Sequence, residues 1–143
     1  MAAAPLGGSL VAVGTDGSEG GRRAVSFAAG LADALQAKLE IVFVARGPPA
    51  ATGEGPIDAG QQAKGEDILQ GELDRLRYLG LHATKRLLSG DPAEALADHA
   101  NRSPEVGLLV IGRRGAGPLV RALAGSVASR MAHLTQKPLV IVP

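Results

Sequence analysis

Apolar residues along the chain fall into short continuous runs that alternate with longer stretches of helical spacing. Five runs of four to eight residues are rich in Val, Leu and Ile, which is typical of buried strands. The third run is more polar than the others and therefore predicts a strand at the edge of a sheet. The runs cover residues 10–13, 39–44, 81–88, 106–111 and 139–142.

The stretches between the runs carry apolar residues three or four positions apart, the spacing of an amphipathic helix. These positions are Ala24, Ala28, Leu31 and Leu35; Leu69, Leu73, Leu76 and Leu79; Leu96, Ala97 and Ala100; and Val127, Met131 and Leu134. Strands that alternate with helices predict a parallel sheet covered on both faces. We therefore expect an α/β fold, a three-layer sandwich with a five-stranded parallel sheet, as one domain over residues 1–143.

Local signals mark one helix start and one long connection. Asp91 can cap a helix, Pro92 suits its first position, and Glu94 can complete a capping box. Glycines 65 and 71 weaken the second predicted helix. Residues 46–60 hold four glycines and three prolines, so they predict no regular element. A connection this long is usually functional or disordered, and the sequence leaves open whether it is a lid.

Composition excludes several classes of protein. Only 2% of the 143 residues are aromatic, so the core must consist of Ala, Val, Leu and Ile. A net charge of +1 gives no field that would attract nucleic acid or an anionic membrane. There is no cysteine, and no apolar run approaches the roughly 18 residues of a membrane span. The first nine residues lack a basic start and a long apolar stretch and are not expected to be a signal peptide. The chain is expected to be a cytoplasmic protein that contacts neither nucleic acid nor membrane.

A glycine pattern follows the fourth apolar run and indicates a phosphate site. Gly112 and Gly115 are followed, after nine residues, by Gly125 and Ser126, where a helix begins. Glycines allow a ligand to approach the backbone closely, and unpaired N–H groups at a helix start suit phosphate. Each glycine alone is more often part of a tight turn, and Ser126 could simply cap its helix.

A second polar loop follows the first apolar run. Thr15 and Asp16 stand between Gly14 and Gly17, and the carboxylate of Asp16 can accept a hydrogen bond from ribose or adenine. An Asp at such a position is also a common turn residue. If the first and fourth strands are neighbours, both loops face one crevice at the carboxyl ends of the strands, where doubly wound sheets bind ligands.

The remaining charged residues are less specific. Among Arg113, Arg114 and Arg121, Arg114 is the preferred partner for phosphate, although exposed arginines are usually only solvated. The three histidines, His82, His99 and His133, lack the spacing of metal ligands and are expected at a surface or an interface.

Three segments together resemble the universal stress protein family. They are residues 13–18, the pattern Gly112-x-x-Gly115-(nine)-Gly125-Ser126, and residues 137–142. The resemblance covers essentially the whole chain, and the spaced glycines match the family's ATP-binding signature without a substitution. Gly107 departs from the family, which often has Asp there, but this position lies outside the signature.

The resemblance implies a Rossmann-like sheet of the adenine nucleotide alpha hydrolase-like type, in the order 3-2-1-4-5, and a homodimer formed through the last strand. It implies that Thr15 and Asp16 lie at the adenosine end of a nucleotide, and that the backbone of Val44 meets adenine. Ile111 and Gly112 match positions beside the ribose and phosphates. The implied phosphate cradle consists of Arg114, Gly115, Gly125, Ser126 and Val127.

The resulting expectation is an ATP-binding regulatory sensor for stress or metabolic adaptation, with Mg²⁺ as a possible companion of the nucleotide. The downstream protein partner and the stress signal are not indicated. A slow ATPase or nucleotidyl-transfer enzyme using the same pocket is the first alternative. It is disfavoured because the motif loops contain no clear general base besides Asp16, which is expected at the wrong end of the nucleotide. A stress-family scaffold that binds no nucleotide is the second.

Overall fold

The computed structural model of the chain describes residues 8–46, 59–113 and 126–143. Strands and helices alternate along these ranges, as the apolar pattern predicts. The strands are β1 (Leu10–Gly14), β2 (Lys38–Ala45), β3 (Thr84–Ser89), β4 (Val106–Gly112) and β5 (Leu139–Val142). The helices are α1 (Glu19–Leu35), α2 (Ala59–Tyr78), α3 (Pro92–Arg102) and α4 (Ser126–Leu134).

The five strands form one parallel sheet in the order β3-β2-β1-β4-β5, which confirms the order that the resemblance implies. Helices α1 and α2 cover one face, where Ala24, Ala28 and Leu69 pack on Val11 and Val13. Helices α3 and α4 cover the other face, where small residues of α3 and the fully buried Met131 of α4 pack against the strands. The small side chains bring the helices close to the sheet, so the core needs few aromatic residues.

Helix α2 begins at Ala59 and runs for 20 residues, so the last two residues of segment 46–60 are helical. The expectation of no regular element there is wrong at that end. Gly65 is buried, and a Cβ atom at this position would lie 2.6 Å from Phe43 Cδ1 and 2.7 Å from Leu87 Cδ1. This glycine therefore lets α2 pack directly on β2 and β3. Among the helices described, none is long and apolar enough to cross a membrane.

The polar strand β3 lies at one edge of the sheet, as its composition predicts, although it begins at Thr84 rather than at residue 81. Thr84, Lys85 and Arg86 are exposed. Charged side chains at a sheet edge disfavour pairing with another chain. At the opposite edge, β5 presents Ile141, which is 40% exposed. The two edges therefore differ in chemistry.

A charged cluster centred on one buried carboxylate lies between the sheet and α3. Glu40 of β2 is buried on the α3 face, and its carboxylate lies 2.6 Å from His99 Nε2 and 3.0 Å from Arg86 Nε. An ionised carboxylate only accepts hydrogen bonds, so the proton of this contact belongs to His99 Nε2. The His99 side chain is only 12% exposed, so the expectation of a surface position is wrong for this histidine. His82 and His133 are exposed.

Two opposing effects set the pKa of Glu40. Burial alone raises the pKa, but hydrogen bonds from His99 and Arg86, together with their positive charge, bring it below its ordinary value. The folded state therefore stabilises the ionised carboxylate more than the unfolded chain does.

Replacing Glu40 with Gln tests this cluster, because the side chain keeps its shape and loses its charge. We expect the free energy of unfolding at neutral pH to fall by about 1–3 kcal/mol. A lowered folded-state pKa contributes stability above the unfolded pKa of about 4.3, and that contribution is lost as the pH falls through the folded pKa. Urea denaturation of the wild type and of Glu40→Gln should therefore show a difference in the free energy of unfolding that becomes smaller toward low pH.

The matched control is Glu19→Gln, because Glu19 is exposed and forms only a surface ion pair with Arg23. This variant should unfold at nearly the wild-type urea concentration at every pH. If the loss of unfolding free energy in Glu40→Gln does not change with pH, the claim that the folded state stabilises the ionised Glu40 carboxylate is wrong.

Candidate functional site

The two polar loops predicted from the sequence start from neighbouring strands. β1 and β4 pair in parallel with Val13 opposite Val110, so both strands end at the same edge of the sheet. Beyond the end of β1, the Thr15 N–H donates to the Val42 carbonyl at 2.9 Å. The strand order also reverses between β1 and β4, since β2 and β3 lie on one side and β5 on the other. This carboxyl edge is the candidate site.

The loop after β1 is held by its own side chains. Thr15 is buried, and its Oγ1 accepts a hydrogen bond from the Gly17 N–H at 3.2 Å. Asp16 Oδ1 accepts from the Ser18 N–H at 2.9 Å and from the Ser18 hydroxyl. Ser18 in turn caps α1 by accepting from the Gly21 N–H at 3.1 Å. Asp16 therefore does have the turn role that its sequence position allows.

Two glycines shape this loop: Gly17, which belongs to the predicted motif, and Gly21, which was not singled out from the sequence. A Cβ atom at Gly21 would lie 2.4 Å from Thr15 Oγ1 and 3.0 Å from Asp16 Oδ1. Gly17 has a φ of +82°, and a Cβ atom there would lie 2.5 Å from Ile68 Cδ1 of α2. The available signal was the pair Gly20-Gly21 in the first turn of a helix, where propensity disfavours glycine.

The end of β4 forms the other side of the site. Ile111 is buried against the α3 face and Gly112 is partly buried. The Arg113 N–H donates to the Val142 carbonyl at 2.7 Å, so the backbone is fixed up to this residue. Arg114, Gly115 and Gly125, which the sequence assigns to phosphate binding, lie outside the described residues.

Helix α4 begins at Ser126, as the glycine pattern predicts. Val127 is partly buried and packs against the core on the α3 face, and Ala128 and Met131 are buried there. This packing holds α4 against the sheet. Its first N–H groups are the ones a helix leaves without intrahelical partners.

Val44 lies near the end of β2, beside β1. Its side chain is buried in the apolar core on the α3 face. The next residue, Ala45, accepts a hydrogen bond from the Gly90 N–H at 3.0 Å, which ties the end of β2 to the start of α3. The backbone of Val44, and not its buried side chain, is therefore the part available to the site, and its contact with adenine stays a prediction.

A cluster of charged side chains joins α4 to the first turn of α3. Arg130 Nη1 lies 3.1 and 3.0 Å from the two carboxylate oxygens of Asp91, and Arg130 Nη2 lies 3.0 Å from Glu94 Oε1. Asp91 caps α3 as predicted, accepting from the Glu94 N–H at 3.1 Å. The Glu94 carboxylate, assigned to a capping box from the sequence, binds Arg130. These partners are far apart in the sequence, so no local pattern indicates the contact.

A separate cavity of about 150 Å³ lies at the opposite, amino edge of the sheet. Alanine and leucine residues line it together with the polar side chains of Asp33 and His82. No group of three or more His, Cys, Asp or Glu residues suited to a metal ion occurs in the described part of the chain. The ligand-like chemistry therefore remains at the carboxyl edge.

Comparison with known proteins agrees with this architecture. The profile of the universal stress protein family matches residues 10–143. The universal stress protein YxiE of Bacillus subtilis (strain 168) is 30% identical over 145 residues, covering 93% of this chain and 96% of that protein. The match therefore extends over the described elements and both loops.

Solved structures show the same fold. A universal stress protein crystallised in complex with cAMP is 31% identical, with a TM-score of 0.69 over 94% of this chain and 96% of that chain. UspA from Lactobacillus plantarum is 18% identical, with a TM-score of 0.76 over 94% and 97%. A universal stress protein from Archaeoglobus fulgidus in complex with dAMP is 21% identical, with a TM-score of 0.71 over 93% and 96%. The chain therefore belongs to the universal stress protein family.

Proposed function

We propose that this chain binds an adenine nucleotide at the carboxyl edge of the sheet, between the loops that follow β1 and β4. The observation that carries the proposal is the pairing of these two strands, with α4 beginning beyond β4 at Ser126. Ligands of doubly wound sheets bind where the strand order reverses. The relative that is 31% identical was crystallised with cAMP, which supports an adenine nucleotide as the ligand.

The two ends of the nucleotide are assigned to different elements. Thr15, Asp16 and the Val44 backbone take the adenosine end, and Ile111 and Gly112 lie beside the ribose. The phosphates take the loop around Arg114 and Gly115 and the first turn of α4. A helix start of this kind favours an anion through its N–H groups and its partial positive charge.

The proposed physiological ligand is ATP, and the proposed role is that of a cytoplasmic nucleotide sensor in stress or metabolic adaptation. A sensor needs different nucleotide affinity in two states of the protein, so that binding shifts their populations. Any Mg²⁺ in the complex would be held mainly by phosphate oxygens and water, the ligands that this ion prefers.

Binding without efficient turnover is the version that the loop geometry favours. Asp16 Oδ1 already accepts two hydrogen bonds from Ser18, which suits a carboxylate that orders a loop. A general base must reach the proton it removes, and Asp16 is assigned to the adenosine end, away from the phosphates. A slow ATPase and a scaffold without nucleotide are distinguished by the titration below.

Calorimetric titration of nucleotide-free protein tests the proposal directly. ATP with Mg²⁺, AMP and cAMP should each be titrated, and product analysis should follow ADP. We expect saturable ATP binding with one site per chain and no catalytic release of ADP. Continued ADP production would establish the enzyme instead. If folded, nucleotide-free protein binds none of the three ligands, the remaining hypothesis is a stress-family scaffold that binds no nucleotide.

Gly115→Val tests the location of the site, because a side chain at this glycine should block the approach of phosphate. We expect the variant to fold and its ATP affinity to fall by at least about tenfold, which corresponds to about 1.4 kcal/mol. Gly71→Val is the matched control, because a Cβ atom at Gly71 has no heavy atom within 4 Å. Wild-type affinity in a folded Gly115→Val protein would show that the phosphate assignment is wrong.

We also propose a homodimer formed through β5. This strand lies at the edge of the sheet and carries Ile141, 40% exposed, and the nearby helix α4 ends with Leu134, 41% exposed. The unpaired backbone groups of an edge strand favour pairing with a second strand. The edge at β3 is charged and is therefore the less suitable interface.

Ile141→Lys should shift the wild-type dimer toward monomer, because it places a charge on the proposed interface. Analytical ultracentrifugation at micromolar concentration measures the change. Tyr78→Lys is the control, because Tyr78 is 92% exposed and lies at the end of α2, which covers the face of the sheet opposite to α4. A wild-type protein that sediments as a monomer would rule out the interface.

A further inference from the structure

Helix α4 is short, and its orientation decides where its first N–H groups lie. It contains nine residues, fewer than an isolated helix needs to be stable in water. Its place in the protein must therefore come from contacts with neighbouring elements. Apolar packing of Ala128 and Met131 holds it against the core, but such packing is not directional.

We propose that Arg130 is a positioning residue of the nucleotide site: it fixes the first turn of α4, so that the N–H groups near Ser126 and Val127 face the phosphate. This inference rests on the proposed function and adds a residue that the glycine pattern does not contain. Arg130 is placed one helical turn beyond Ser126, so its side chain acts on the turn that begins the helix.

The contacts of Arg130 are directional and use both ends of its guanidinium group. Nη1 binds the two oxygens of Asp91, and Nη2 binds Glu94 Oε1, at 3.0 to 3.1 Å. The planar guanidinium can satisfy several carboxylate oxygens in one fixed geometry. Rotation or sliding of α4 would break these contacts together.

The same contacts link the two ends of the proposed site. Asp91 caps α3, and the preceding residue Gly90 donates to the Ala45 carbonyl at the end of β2. The link therefore continues from β2, where adenine is assigned, through the start of α3 to the start of α4, where phosphate is assigned. In this chain of contacts, Arg130 is the residue that belongs to α4.

The other end of α4 is held separately. Asn101 of α3 donates to the Leu134 carbonyl at 3.0 Å and accepts from the Gln136 N–H at 2.8 Å. The C-terminal end of α4 is thus fixed without Arg130. Loss of Arg130 should therefore displace or loosen the first turn while the helix stays docked.

A direct contact between Arg130 and phosphate is the alternative, and charge removal distinguishes the two. Glu94→Ala removes a negative charge and frees part of the guanidinium. If Arg130 attracts phosphate directly, this variant should bind AMP more tightly. If Arg130 positions α4, the same variant should bind AMP more weakly, against the direction that simple electrostatics gives.

The experiment measures AMP and adenosine binding by calorimetry for Arg130→Ala and Glu94→Ala. We expect both variants to lose AMP affinity, Arg130→Ala by roughly 3- to 10-fold, in the range by which supporting residues change a binding equilibrium. Adenosine, which lacks phosphate, should keep its wild-type affinity. Arg102→Ala is the matched control, since Arg102 forms an exposed ion pair with Asp98 on the far end of α3.

Amide hydrogen exchange of the ligand-free proteins gives a second readout that needs no nucleotide. Exchange should speed up in Arg130→Ala at residues 130–132, whose N–H groups bond to the carbonyls of the first turn, and stay unchanged in Arg102→Ala. Equal losses of AMP and adenosine affinity, or tighter AMP binding by Glu94→Ala, would overturn the positioning role. If wild-type protein binds AMP but either of these contrary results is found, the positioning role of Arg130 fails while the proposed function remains. If wild-type protein binds no adenine nucleotide, the proposed function and the phosphate part of this inference both fail.

Discussion

The pairing of β1 with β4 is the contact on which the rest of the architecture depends. The chain first adds β2 and β3 on one side of β1 and then returns to its other side. Right-handed crossovers place the helices of these two halves on opposite faces. Because β4 pairs directly with β1, the loops that follow these two strands lie side by side at the carboxyl edge of the sheet. The pairing that completes the core therefore also forms the crevice.

The apolar pattern was enough to predict an α/β fold, whereas the strand order came from the resemblance. Each strand and helix described overlaps a predicted run or helical spacing, because each buries a continuous run or one helical face. The ends differ: β3 begins at Thr84 rather than at residue 81, and α2 ends at Tyr78, before the predicted Leu79. Gly65 shows where propensity failed: the glycine weakens an isolated helix, but the close contact with Phe43 makes it a good residue here. The start of α2 at Ala59 was missed since glycines and prolines dominate the segment before it.

The sequence predicted some of the elements around the candidate site. Backbone-binding loops leave a signature of glycines at fixed spacing, and this signature predicted the helix at Ser126, while its assignment to phosphate stays a prediction. Contacts between distant side chains leave no such signature. Arg130 with its two carboxylates, and His99 with Glu40, depend on which helices and strands the fold brings together. The close packing of Gly21 against Thr15 could not be predicted either, because the contact exists only in the folded structure.

The buried Glu40 has a consequence for the alignment of the strands. In the observed register Glu40 lies opposite Ala12 of β1 and Thr84 of β3, and it faces α3. Successive side chains of a strand point to opposite faces, so a shift of β2 by one residue would turn the carboxylate toward α1 and α2. The core against the sheet on that face is an apolar cluster that includes Ala28 and Leu69, and an unpaired charge within it is costly. The Val, Ile and Leu side chains of the inner strands are nearly interchangeable. One carboxylate therefore discriminates between alignments of β2 that hydrophobicity alone would leave similar in energy.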